Sequence, residues 1–97
     1  MTQTTILPPG NTPATSSTFT VGAYDSVKVG IYSDDEDAIL PVNYFFVIEE
    51  VTPGLPNIVG YLTSASRSVS INAPGTYHVR LSHAYEGTPF GVFTDKA

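Results

Sequence analysis

The chain has 97 residues, with nine Asp and Glu against four Lys and Arg, for a formal net charge of −5. That length fits one domain with a thin core, burying about 60–65% of the surface of the unfolded chain. With no cysteine, neither a disulfide nor a thiolate metal site can staple it, only His78 and His83 offer nitrogen ligands, and the scattered cations Lys28, Arg67, Arg80 and Lys96 cannot form the basic patch that nucleic acid requires.

Charged residues make up only 13% of the chain, against about 25% in an ordinary soluble domain. Ser, Thr, Asn and Gly must therefore supply much of the polar surface. No apolar run approaches the ~20 residues needed to span a bilayer. The opening "MTQTTILPPG" lacks the basic and apolar regions of a secretory signal. The expectation is a small protein made inside the cell and placed by assembly rather than export, with no membrane or nucleic-acid partner and no cofactor.

Eight Gly and eight Pro recur along the chain, and helical spacing of apolar residues is nowhere sustained. Residues 1–16 are set apart as an extended N-terminal arm. Within it, Thr4–Leu7 reads as a short strand or docking arm, and Pro8–Ser16 as a polyproline-like connector. Residues 17–97 form the folded domain. Thr18–Ala23 is its first strand, with Phe19, Val21 and Ala23 on one face, and Asp25-Ser26 makes a turn. Ser26–Ser33 alternates cleanly, Val27, Val29 and Ile31 facing one way and Lys28, Gly30 and Tyr32 the other.

An acidic loop, "SDDEDAILP", follows and ends at Pro41. Val42–Val51 is the strongest strand. Tyr44, Phe46 and Ile48 occupy one face, and Phe45, Val47 and Val51 the other, so both faces call for a cover. Pro53-Gly54 forms a turn into Asn57–Thr63. Ser68–Ala73 places Val69 and Ile71 inward. A Pro-Gly turn then leads into a strand with Tyr77, Val79 and Leu81 inward, and His78, Arg80 and Ser82 outward. Pro89–Thr94 closes the chain. Seven to eight strands and no helix predict an all-β antiparallel β-sandwich, immunoglobulin-like or jelly-roll-like, with a small barrel as the alternative.

Catalytic patterns are missing from the sequence. No nucleophile elbow, phosphate-binding loop or EF-hand spacing is present. Glu49 and Glu50 are adjacent on a strand and point to opposite faces, so without a sharp bulge they cannot act as one acid–base pair. One of them is expected to pair with Lys28 or Arg80 across the sheet, or to lean inward at the strand's end. The run Asp34-Asp35-Glu36-Asp37 is a weak candidate for a divalent cation through Asp34, Asp35 and Asp37, with Asp95 as an added oxygen ligand. Its plainer reading is a solvated loop. Outward aromatics at Tyr32 and Tyr61 keep sugar stacking open, although Trp, the usual platform, is absent.

Two stretches are built alike. Gly30-Ile31-Tyr32-Ser33-Asp34 matches Gly91-Val92-Phe93-Thr94-Asp95 class by class. Their flanks do not repeat, which argues for two strands of one design. They are expected to be neighbours in one sheet, each Gly leaving room for a backbone or a ring.

The strand pair "TFTVGAYDSVKVGIYSD", the strand–turn–strand "VTPGLPNIVGYLT", the hairpin "APGTYHVRL" and the closing "GVFTD" together resemble small all-β virion proteins of tailed bacteriophages, of the capsid decoration (cement) or head-fibre type. The resemblance covers most of Ser17–Asp95. It implies a non-enzymatic structural protein, made in the host cytoplasm and carried on the virion. There, copies would sit on the capsid and bridge subunits of the major capsid protein. Such proteins attach as monomers or as homo-oligomers such as trimers, and an N-terminal arm often makes the contact. The alternative it leaves open is an adhesion or carbohydrate-binding module of a phage fibre. On this reading Ile6, Leu7, Pro8, Pro9, Phe45 and Val47 are the residues expected to bind a partner.

Overall fold

A computed structural model of the chain describes residues 2–35, 39, 44–51, 57–82, 84 and 87–96. Nine strands are present among them: β1 (Thr2–Gly10), β2 (Ala14–Thr15), β3 (Phe19–Val21), β4 (Val27–Tyr32), β5 (Phe46–Glu50), β6 (Asn57–Leu62), β7 (Ser68–Ile71), β8 (Gly75–Leu81) and β9 (Phe90–Lys96). All pairings are antiparallel, and they form two sheets. One sheet runs β1-β9-β4-β7. The other runs β2-β8-β5-β6, with β3 also on β8.

β2 and β3 lie along the same side of β8, at Leu81–Arg80 and at Tyr77–Gly75. They are two halves of one strand, interrupted at Ser16. The Ser16 amide donates to the Val79 carbonyl at 2.8 Å, and the Val79 amide donates to Ser16 Oγ at 2.9 Å. A hydroxyl thus takes the place of a backbone carbonyl, and the ladder continues without a regular strand residue. With the halves counted as one strand, eight strands remain. First pairs with last, second with seventh, third with sixth and fourth with fifth. That nested ribbon is rolled so that β9 meets β4 and β8 meets β5, which is the strand order of a jelly roll.

The alternation of apolar residues explains which faces meet. Val27, Val29 and Ile31 of β4 and Phe90 and Val92 of β9 face Phe46 and Ile48 of β5 and Tyr77, Val79 and Leu81 of β8. The Tyr44 ring packs edge-on to Phe46 and tilted against Phe90. Burying such side chains stabilises by roughly 1.5–3 kcal/mol each.

Residues 2–16 differ from the sequence expectation. β1 is extended, but it pairs with β9 from Thr2 to Gly10. Ile6 and Leu7, adjacent in sequence, are both buried in the chain's own core. A register shift between Thr5 and Leu7 makes Ile6 the extra residue of a bulge, so two neighbouring side chains turn inward. Pro8 and Pro9 are tolerated because β1 is an edge strand, where a missing N–H breaks no inner ladder. Ser17 then donates to the Ile6 carbonyl at 3.0 Å and ties the segment across both sheets. Residues 2–16 are part of the sandwich, not a separate arm.

Candidate functional site

β4 and β9 explain the paired "GIY" and "GVF" stretches. They lie side by side, with Gly30 opposite Phe93, Ile31 opposite Val92 and Tyr32 opposite Gly91. Each glycine therefore faces the aromatic residue of the other strand. A Cβ on Gly30 would lie 2.5 Å from Phe93 Cζ. A Cβ on Gly91 would lie 2.6 Å from the Leu7 carbonyl oxygen and 2.9 Å from Pro9. The first glycine makes room for a ring, the second for the β1 backbone. Tyr32 and Phe93 pack together at 6.4 Å between centroids, and Thr5 Oγ1 lies 3.3 Å from the Tyr32 hydroxyl.

The same pairing separates the acidic candidates. Asp34 follows the C-terminal end of β4, whereas Asp95 is opposite Lys28 at its N-terminal end. Six strand positions at ~3.3 Å each put them about 20 Å apart. Asp95 therefore cannot join a cation site with Asp34 and Asp35. Both of these are exposed, and the Asp35 amide donates to Ser33 Oγ at 3.1 Å. Asp37 and His83 lie outside the described residues, as does the Pro53-Gly54 turn. Among the described residues, no group of three or more His, Cys, Asp or Glu is placed to hold a metal ion.

The outer face of the β2-β8-β5-β6 sheet carries a polar cluster flanked by aromatics. Glu49 is directly opposite His78, and Arg80 is two residues along β8. Glu49 Oε1 accepts from His78 Nε2 at 2.8 Å and from Arg80 Nε at 3.1 Å. The Arg80 guanidinium, and after it His78, hold the Glu49 carboxyl below its ordinary value of 4.5, against the opposing effect of burial. Val47, opposite Arg80 and Tyr61, is buried although it faces outward. Phe45 is half-buried and meets Tyr61 edge to face at 5.9 Å, while Tyr61 itself is 48% exposed. Of the residues expected to bind a partner, Ile6, Leu7 and Val47 are buried within the chain. Pro8 is exposed, and Pro9 and Phe45 are half-buried. They do not form one patch: Pro8 and Pro9 are on β1 of one sheet, Phe45 and Val47 at β5 of the other.

Glu50, the other half of the pair, leans inward. It lines a cavity of about 290 Å³ between β6 and β7, together with Val59, Val69, Ile71, Ala73 and Tyr77. Among the described residues no cation pairs with it. The Tyr77 hydroxyl donates to the Ala73 carbonyl at 2.7 Å. Burial, and then the negative charge of Glu50, raise the Tyr77 phenol above its ordinary value of 10.0. This cavity had no signal in the sequence, because it exists only where two sheet edges meet.

The turn before β4 was visible in sequence, but its tip was not. Asp25 Oδ2 accepts from the Gly22 amide at 3.1 Å, the Asp25 amide donates to the Gly22 carbonyl at 3.1 Å, and Lys96 Nζ lies 3.4 Å from Asp25 Oδ2. Between them Tyr24 has φ of 68° and is fully exposed.

Fold and surface together define a small jelly-roll module whose accessible chemistry is on its faces and at its ends. No protein-family model matches the chain, and no curated protein matches it in sequence. A solved structure does match in fold: the SPBc2 prophage-derived protein YomS, with a TM-score of 0.66 and 11% identity, over 96% of this chain and 88% of that one. At that identity the likeness is one of fold.

Proposed function

We propose that this chain is a non-enzymatic structural protein of a tailed-phage virion, which sits on the capsid surface and stabilises contacts between subunits of the major capsid protein. The observation that carries this reading is the near full-length likeness of its jelly roll to a prophage-derived protein. The low charged fraction and the aromatic outer faces support it, since such surfaces suit lasting protein contacts. The surfaces left for a partner are Pro8, Pro9 and Phe45 rather than Ile6, Leu7 and Val47. Imaging particles assembled with and without the protein tests the proposal. Its absence should remove surface density and lower the temperature at which particles open. An unchanged capsid would overturn it.

One observation favours a second reading, adhesion to carbohydrate. The half-exposed Tyr61 ring stands on the same sheet face as Glu49, His78 and Arg80, offering a stacking plane beside polar groups. A glycan array without hits removes that reading.

A further inference from the structure

Tyr24 is badly placed for the isolated chain. Its φ of 68° is in the left-handed region, which residues with a β-carbon enter at a cost. It holds the third position of the Gly22–Asp25 turn, where Gly or Asn would serve better. Its ring, at 105% relative exposure, buries nothing. Yet Asp25 and Lys96 lock the turn that presents it. A costly conformation that leaves an aromatic ring wholly in water has its use outside the chain, and tyrosine is among the residues that most often anchor interfaces.

The same end of the molecule holds a receptor of matching chemistry. Val21 pairs with Gly75 and Val27 with Ile71, so the turn and the cavity of Val59, Val69, Ile71, Ala73 and Glu50 share one pole. Val59, Val69, Ile71 and Ala73 suit the face of a ring, Ser70 and Asn72 make the rest of the wall polar, and the Glu50 carboxylate suits a phenol O–H. Those are the two demands that Tyr24 leaves unmet.

We propose that the chain pairs end to end with a second copy of itself, the Tyr24 ring of each copy seated in the β6–β7 cavity of the other and its hydroxyl donating to Glu50. A two-fold axis across this pole satisfies both exchanges at once, as an isologous interface requires. The pairing holds whatever larger assembly the chain joins.

Sedimentation equilibrium of the full chain, from micromolar to millimolar concentration, tests it. The wild type should self-associate. Tyr24→Gly should be monomeric, with a thermal midpoint at or above that of the wild type, so that the loss is not one of folding. Tyr24→Phe keeps the ring without the donor, so the dimer loses two hydroxyl–carboxylate bonds and should associate at least about a hundred-fold more weakly. Glu50→Gln retains an acceptor oxygen and should weaken association less than Tyr24→Gly does. A wild type that stays monomeric throughout, or a Tyr24→Gly chain that associates as the wild type does, overturns the proposal. The first of those results would point to a different molecule as the receptor of Tyr24.

Discussion

Gly30 and Gly91 occupy corresponding places in two similar stretches, but what fills the space beside them differs. At Gly30 the obstacle to a methyl group is the far end of the Phe93 ring, which can swing away. At Gly91 it is the backbone of Leu7 and the ring of Pro9, which cannot move without shifting β1. Gly91→Ala should therefore cost about 3 kcal/mol and Gly30→Ala about 1 kcal/mol, within the range for overpacking. Urea denaturation of the two variants checks the order. Glu49 supports a second prediction. A carboxyl held below its ordinary value contributes stability that is complete above the unfolded value and is lost as pH falls through the folded one. Stability should thus decline below about pH 4.5, the ordinary value of Glu49. Glu49→Gln should lose about 1–2 kcal/mol at neutral pH, because Arg80 and His78 lose their charged acceptor. The same variant should show a shallower acid slope. Equal acid slopes in wild type and variant would count against that account.

Among the elements, β1 is the one whose role the sequence disguised. Pro8, Pro9 and Pro13 read as a connector because proline cannot donate to a ladder. An edge strand tolerates that defect, and the Ile6 bulge lets two adjacent apolar residues face the core. Deleting residues 1–10 should expose β9 and the Ile6–Leu7 site and leave the chain insoluble or unfolded by circular dichroism. Hydrogen exchange on the intact chain gives a milder test: β1 amides bonded to β9 should be protected, whereas those of a detached arm would exchange at once. Ser16 carries a related prediction. Its hydroxyl accepts from the Val79 amide where β2 and β3 meet, so Ser16→Ala should cost about 1–2 kcal/mol by leaving that buried donor unpaired. Ser16→Thr keeps the hydroxyl and should lose less.

At the scale of the whole molecule, jelly-roll closure joins the first strand to the last and the second to the next-to-last. Such pairings close long loops before they gain contacts, so folding should take milliseconds to seconds. Stopped-flow refolding checks this; a microsecond phase accounting for the full amplitude would contradict it. The two ends of the sandwich also differ. One carries Asp34 and Asp35 in the loop after β4. The other carries the Tyr24 turn and the Glu50 cavity. That polarity gives the module two chemically different ends, and the end with Tyr24 and Glu50 is the one on which the proposed pairing rests.

Several features were legible in the chain itself. Alternation in β4, β5 and β8 identified strands and their inward residues, because period-2 burial is a local property. The matched glycine–aromatic stretches identified β4 and β9 as neighbours, since each glycine needs a ring or a backbone beside it. The opposed directions of Glu49 and Glu50 followed from adjacency alone. Other features depend on how the ribbon rolls. The placing of β1 on β9, the wide separation of Asp34 from Asp95, and the cavity between β6 and β7 are contacts between distant segments. Local sequence specifies which side of a strand is apolar. Only closure of the two sheets decides which strand lies beside it, and so which groups share an end of the molecule.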